Sequence, residues 1–164
     1  MDTDIESIRK LCRQYKPEHD KTFGKNNSFR AIAVCGLVTA SLGTYLSNYY
    51  ANIQRAMINQ KITNEVLILK ECPTGFLSGH TFLVIKDTLV DGAFYQYMDF
   101  FNLAHEEPDD LLIIQYSKLE EKIEEMSSSL KGELIPKVKS KQHLNHLLRS
   151  LWDYKMPSSY LKDF

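Results

Sequence analysis

The hydrophobic repeat of this 164-residue chain changes period twice. Apolar residues recur at helical spacing as far as Met57, fall into short runs between Glu65 and Tyr116, and return to helical spacing afterwards. Helices grouped before and after a block of short strands, without strand–helix alternation, specify an α+β fold rather than a doubly wound one. The expectation is a small antiparallel β-sheet packed on a central helix, with extra helices at the C-terminal end. Length and composition fit one domain over 1–164: the apolar fraction is 43% and the charged fraction 25%, ordinary values for a globular chain.

The helical segments are read from their stripes. Thr3 and Glu6 have capping-box spacing, and Ile5, Ile8, Leu11, Cys12 and Tyr15 share a face; Pro17 is predicted to end this helix, with Glu18 to Ser28 as a loop. A second, longer helix is predicted between Ser28 and Met57 from Val34, Cys35, Val38, Leu42, Tyr45, Leu46, Tyr49, Ile53, Ala56 and Met57. It starts either at a Ser28 cap or near Val34, and only the second start puts Cys35 in its first turn. Strands are predicted at Glu65–Lys70, His80–Ile85, Thr88–Asp91 and Asp110–Tyr116, with Cys72-Pro73-Thr74-Gly75 as turn material. Ser117 and Glu120 form another capping box before a helix to about Ser129. A last helix, around Gln142 to Tyr154, aligns Leu144, Leu147, Leu148, Leu151 and Trp152.

Charge narrows the partners. Twenty basic against twenty-one acidic residues leave a net charge of -1, which argues against nucleic acid as a partner. No apolar stretch is long enough for a membrane span, and the acidic start, Met1-Asp2-Thr3-Asp4-Ile5-Glu6, is unlike a secretory signal. Residues 104–126 carry -6 and residues 131–164 carry +4. Two solvated helix faces that pair with each other is the simpler reading; a docking surface for a charged partner is the alternative.

Three cysteines, Cys12, Cys35 and Cys72, form no CxxC pair, so neither a zinc site nor a disulfide framework is indicated, and a reducing, cytoplasmic setting is expected. Cys35, His80 and Asp91 stand out because they fall at a candidate helix start, one strand's start and the next strand's end. A nucleophilic thiol needs its pKa lowered, which a helix N-terminus and an imidazolium can do. The imidazole in turn needs a carboxylate to fix its tautomer. A two-residue loop at Lys86-Asp87 would set Ile85 opposite Thr88 and Phe82 opposite Asp91, leaving His80 and Asp91 as diagonal neighbours on one face, roughly 7–8 Å apart at the backbone. Cys35 also lies on the apolar stripe, where free cysteine is ordinarily a core residue. Gly36, which would let a substrate approach closely, and Gly79, beside His80, are candidate oxyanion or substrate-binding positions. Cys72 is the rival nucleophile and Cys12 a core residue. His19 and His105 are placed in polar loops; His143 and His146 are surface or packing residues with no third ligand nearby, so no metal site is expected.

Ala33-Val-Cys35-Gly-Leu-Val, Ser78-Gly-His80-Thr-Phe-Leu-Val-Ile and Leu89-Val-Asp91-Gly-Ala-Phe-Tyr-Gln96 together resemble the core of the papain-like and transglutaminase-like cysteine enzymes, over roughly residues 30–116. The resemblance implies Cys35 as nucleophile, His80 as general base and acid, Asp91 as its orienter, and no cofactor. It departs from the papain-like pattern in lacking a glutamine shortly before the cysteine. Asn26 or Asn27 would substitute as oxyanion donor, or else the Cys35 backbone N–H and a loop amide. Small bacterial effector glutamine deamidases resemble the chain in size and helical additions. They imply a monomeric enzyme that reaches a host signalling protein by a route needing no signal peptide. A cysteine protease, a transglutaminase or an arylamine acetyltransferase-like activity would use the same three residues. A non-catalytic interaction module, with Cys35 in the core, is the alternative from another class.

Overall fold

The computed structural model describes residues 4–23, 34–57, 80–94, 98, 101–103, 111–134, 138–152 and 161–163, with the backbone alone at 34–35, 56–57 and 161–163. Helix α1 spans Ile5–Phe23. Asp4 caps it: its Oδ1 accepts from the Glu6 N–H at 2.6 Å, and its carbonyl accepts from the Ile8 N–H at 3.2 Å. Thr3, the expected cap, lies outside the described residues. Pro17 does not end the helix, which continues six residues beyond it to Phe23. A mid-helix proline costs about 3 kcal/mol, but the buried face of Ile8, Leu11, Cys12 and Tyr15 carries on to His19. Lys16 and Asp20 pair across the proline at 2.6 Å. His19 therefore sits on a helix, buried, and not in a polar loop; its ring meets Tyr15 edge-on with centroids 6.4 Å apart.

Helix α2 spans Val34–Leu46, so the later of the two predicted starts is the observed one. It is shorter than its stripe. Ser47 Oγ donates to the Thr44 carbonyl at 2.7 Å and Asn48 Nδ2 to the Tyr45 carbonyl at 3.0 Å, occupying carbonyls the helix leaves open at its end. Asn52 then adopts a left-handed φ of 59°, and Ile53–Met57 is strand β1, not the helix's last turns. Strand β2 is Thr81–Ile85, β3 is Thr88–Asp91 and β4 is Leu112–Gln115. The hairpin has the predicted two-residue loop and register, Ile85 opposite Thr88 and Leu83 opposite Val90, with Lys86 at φ 57° in the turn. Strand β5, Leu161–Asp163, pairs with β1; nothing in the hydrophobic pattern announced it. The strand and turn expected at 65–75 lie outside the described residues. All pairings are antiparallel, and the order is β4-β3-β2-β1-β5.

Alternation along the strands builds two cores on one sheet. Leu83, Ile85, Val90 and Ile113 face α1 and α2, with Ile8, Leu11, Leu42 and Leu46. Phe82, Val84, Leu89 and Leu112 face the other way, onto α3 (Leu119–Ser128) and α4 (Lys141–Ser150). The C-terminal helices thus cover the sheet face opposite α2. Ser140 caps α4, its hydroxyl accepting from the His143 N–H at 3.1 Å. The Ser117–Glu120 box does not form: Ser117 is inside a 3₁₀ turn, Tyr116–Lys118, and Lys118 precedes α3 without a side-chain cap. Glu120 meets Arg149 at 3.0 Å, and Asn145 donates to Glu124 at 2.7 Å. The acidic and basic segments therefore do face each other through α3 and α4. These contacts are exposed, and a pair of this kind contributes under about 1 kcal/mol.

Two glycines make opposite predictions. A Cβ at Gly92 would stand 2.8 Å from Val38 Cγ1 and 3.3 Å from Leu42 Cδ2, so Gly92→Ala should lose about 1–3 kcal/mol as α2 is pushed off the hairpin. A Cβ at Gly36 meets only Thr81 Oγ1, at 4.0 Å. Gly36→Ala should therefore gain about 0.5–1 kcal/mol of helix propensity. Urea unfolding of both variants checks the pair. Asp20 gives a pH signature: burial works against its carboxylate, but hydrogen bonds and charge from Lys16 and His19 prevail and hold its pKa below the ordinary value. A lowered pKa stabilises the fold above the ordinary value and loses that effect as pH falls through the folded one. Asp20→Asn should cost about 0.5 kcal/mol at neutral pH and nothing once the carboxyl is protonated, as melting curves at the two pH extremes will read.

Candidate active site

The candidate site gathers at the end of the sheet where β2 begins and β3 finishes. His80 immediately precedes β2, and Asp91 is the last residue of β3. The hairpin register brings them together: His80 Nε2 and Asp91 Oδ2 are 2.5 Å apart. Both side chains are buried, at 1% and 0% exposure, so the pair is shielded from water and its electrostatics are undiluted.

Asp91 is held by more than the imidazole. Its Oδ1 accepts from the Ala93 backbone N–H at 3.0 Å, and its Oδ2 also accepts from the Trp152 indole N–H at 2.8 Å. Indole and amide are obligate donors, so the side chain at 91 must accept on both oxygens, as a carboxylate does. The shared oxygen then assigns the proton at His80: Nε2 carries the hydrogen, and Nδ1 carries the lone pair in the neutral ring. That is the arrangement a general base needs, with its basic nitrogen fixed by the bond at the other one.

Helix α2 approaches from the other side of the sheet. His80 and Phe82 lie on one face, ring centroids 6.0 Å apart, whereas Thr81 between them turns to α2. Thr39 Oγ1 donates to the Thr81 carbonyl at 2.9 Å, and Gly36 lies against the Thr81 hydroxyl. Cys35 is the second residue of α2, one turn before Thr39 and next to Gly36. The first turn of α2 and the start of β2 are therefore neighbours, and the helix N-terminus, the positive end of its dipole, lies at the same end of the sheet as the dyad.

Of the residues singled out in the sequence, His80 and Asp91 are in contact, Gly36 lies beside Thr81, the first residue of β2, and Cys35 occupies the expected first turn. Asn26, Asn27, Cys72, Gly79 and His105 lie outside the described residues. Cys12 is buried in the α1–α2 core. His143 and His146 are on α4. Among the described residues no three His, Cys, Asp or Glu side chains gather as a metal site would require, and no helix is long and apolar enough to cross a membrane. Sequence reasoning missed Trp152, which it placed on an apolar stripe. The one available signal was that a buried indole N–H must find an acceptor, and nothing in the pattern named which. Comparison of the chain with protein-family models, with curated proteins and with solved structures returned no match.

Asp91→Asn tests the hydrogen-bond assignment. Whichever way the amide is turned, its NH₂ meets a donor, either Ala93 N–H or the Trp152 and His80 N–H groups. The variant should lose about 1–3 kcal/mol, read as a lower urea midpoint with an unchanged slope.

Proposed function

We propose that the chain is a cysteine amidohydrolase built on a papain-like or transglutaminase-like core, acting on glutamine side chains of a protein substrate through Cys35, His80 and Asp91. The observation that carries this reading is the buried His80–Asp91 pair at the sheet end where the first turn of α2 lies. A thiol in that turn gains from the helix N-terminus and from a neighbouring imidazolium.

The chemistry follows from the assigned tautomer. His80 Nδ1 takes the Cys35 proton, and the thiolate attacks the carboxamide carbon. The tetrahedral intermediate collapses as the imidazolium gives its proton to the departing nitrogen, releasing ammonia and leaving a thioester. Water, deprotonated by the same nitrogen, then attacks the thioester; glutamate leaves and the thiol is restored. Asp91 holds the ring and stabilises its cationic form throughout. The Cys35 backbone N–H is the donor at hand for the oxyanion. With a peptide bond in the carboxamide's place the same steps are proteolysis, and with an amine in place of water they are transamidation.

Depth favours a second reading. His80 is 1% exposed and lies on the face opposite the body of α2, as a polar strut in a non-catalytic interaction module would. One experiment separates the two: iodoacetamide labelling of each cysteine in the native protein as a function of pH, read by peptide mass spectrometry. For the enzyme, Cys35 should label at least about tenfold faster than Cys12 near pH 6.5, and His80→Ala should return its apparent pKa towards about 8.5. Candidate substrates are then screened for a one-dalton glutamine-to-glutamate shift and for cleavage. A Cys35 that reacts only on unfolding, or a profile that His80→Ala leaves unmoved, rejects the triad and leaves the strut.

A further inference from the structure

Trp152 is the chain's only tryptophan and lies just past α4, where its backbone N–H donates to the Arg149 carbonyl at 3.1 Å. The ring is fully buried and packs on Phe94, centroids 5.1 Å apart, in the turn that follows Asp91. Its indole N–H goes to the same carboxylate oxygen that His80 uses, at 2.8 Å against 2.5 Å. A core tryptophan needs one acceptor of any kind. Sharing the oxygen that orients an imidazole is a costlier choice, because each donor draws density from the other's acceptor.

We propose that Trp152 is a positioning residue that, through the Asp91 oxygen it shares, sets how readily His80 holds a proton, which makes the C-terminal helices part of the active centre. The proposal rests on the reading of Asp91 as the orienter of a working imidazole. The indole N–H stabilises the pair most when it carries its negative charge and least when His80 is cationic, so it favours release of the proton. A general acid must give its proton to the leaving nitrogen, and one tied to an unshared buried carboxylate would keep it. Among the described residues, α3 carries Glu120, Glu121, Lys122, Glu124 and Glu125, all outside its buried face. Beside Asp91, β4 offers only Leu112, Ile113, Ile114 and Gln115; α2 carries Cys35 and Tyr45, and β1 carries Arg55. On α4, Lys141, His143, His146 and Arg149 stand outside its buried face, Arg149 with Glu120 in solvent.

The test is the titration of His80, followed by NMR at the ring carbon between its nitrogens. Because the chain has one tryptophan, global replacement by benzothienylalanine exchanges the indole N–H for sulfur and leaves the ring shape; Trp152→Phe is the genetic counterpart. Both should raise the His80 midpoint by about one pH unit, the equivalent of one lost hydrogen bond to a buried charge. Phe94→Leu, which loosens the ring's packing but keeps the donor, should leave the midpoint where it is. A midpoint that stays or falls in the benzothienylalanine protein overturns the proposal, whether or not Trp152→Phe folds. The readout does not involve Cys35. A shifted His80 with an inert Cys35 therefore rejects the enzyme and keeps the tuning, while a reactive Cys35 with an unshifted His80 does the reverse.

Discussion

A buried carboxylate with three donors is the constraint on which the rest of this structure depends. Asp91 is fully buried, and an ion in such a place is tolerated only when its oxygens are occupied. Its donors come from three places: the start of β2, the turn after β3, and the end of α4. The hairpin register, the turn and the C-terminal helix must all be right at once for the charge to be satisfied. A slip of one residue in the hairpin would send His80 to the other face. A shift of α4 would withdraw the indole. The pair of C-terminal helices is fixed to the end of the sheet by chemistry as well as by the apolar face of Leu144, Leu147, Leu148 and Leu151.

The sheet then divides the labour. Residues 80, 82 and 91 belong to the α3–α4 face, and residues 81, 90 and 92 to the α1–α2 face. Gly92, with no side chain, lets Val38 and Leu42 come down onto the hairpin. Thr39, next to Val38 on the helix, donates to the Thr81 carbonyl and ties α2 to the start of β2. These contacts bring the first turn of α2 level with the start of β2, so that helix N-terminus and imidazole share one end of the sheet. α1 completes this side: the Tyr15 and Ser41 hydroxyls bond it to α2, and the Arg9 guanidinium donates to the Ile113 carbonyl on the edge strand β4.

The hairpin was legible because period-two alternation with a two- or four-residue loop puts His80 and Asp91 on one face, while a three-residue loop with a bulge would have separated them; the observed loop has two residues. The α4 face was legible because five large residues repeat at helical spacing. Where sequence misled, local signals competed with tertiary ones. Pro17 is a helix breaker by propensity, yet the buried face ran through it. Ile53, Ala56 and Met57 continue a helical stripe in number, but Ser47 and Asn48 end the helix by taking its last carbonyls, and pairing with β2 makes the segment a strand. The Ser117 box has the right spacing and was displaced by a 3₁₀ turn.

By itself, then, the sequence determined the α+β class, the hairpin with its histidine and aspartate on one face, the helical face of α4, and a cysteine in the first turn of the central helix if that helix began at Val34. Those follow from period and parity, which are local. Tertiary structure alone decided that the helix begins there, that β5 joins β1, and that α3 and α4 cover the face opposite α2. It also decided that the indole of Trp152 ends on the carboxylate of Asp91. The physical reason is that a donor's need for an acceptor is written in its side chain, whereas the acceptor's identity is fixed only when burial has removed water as an alternative.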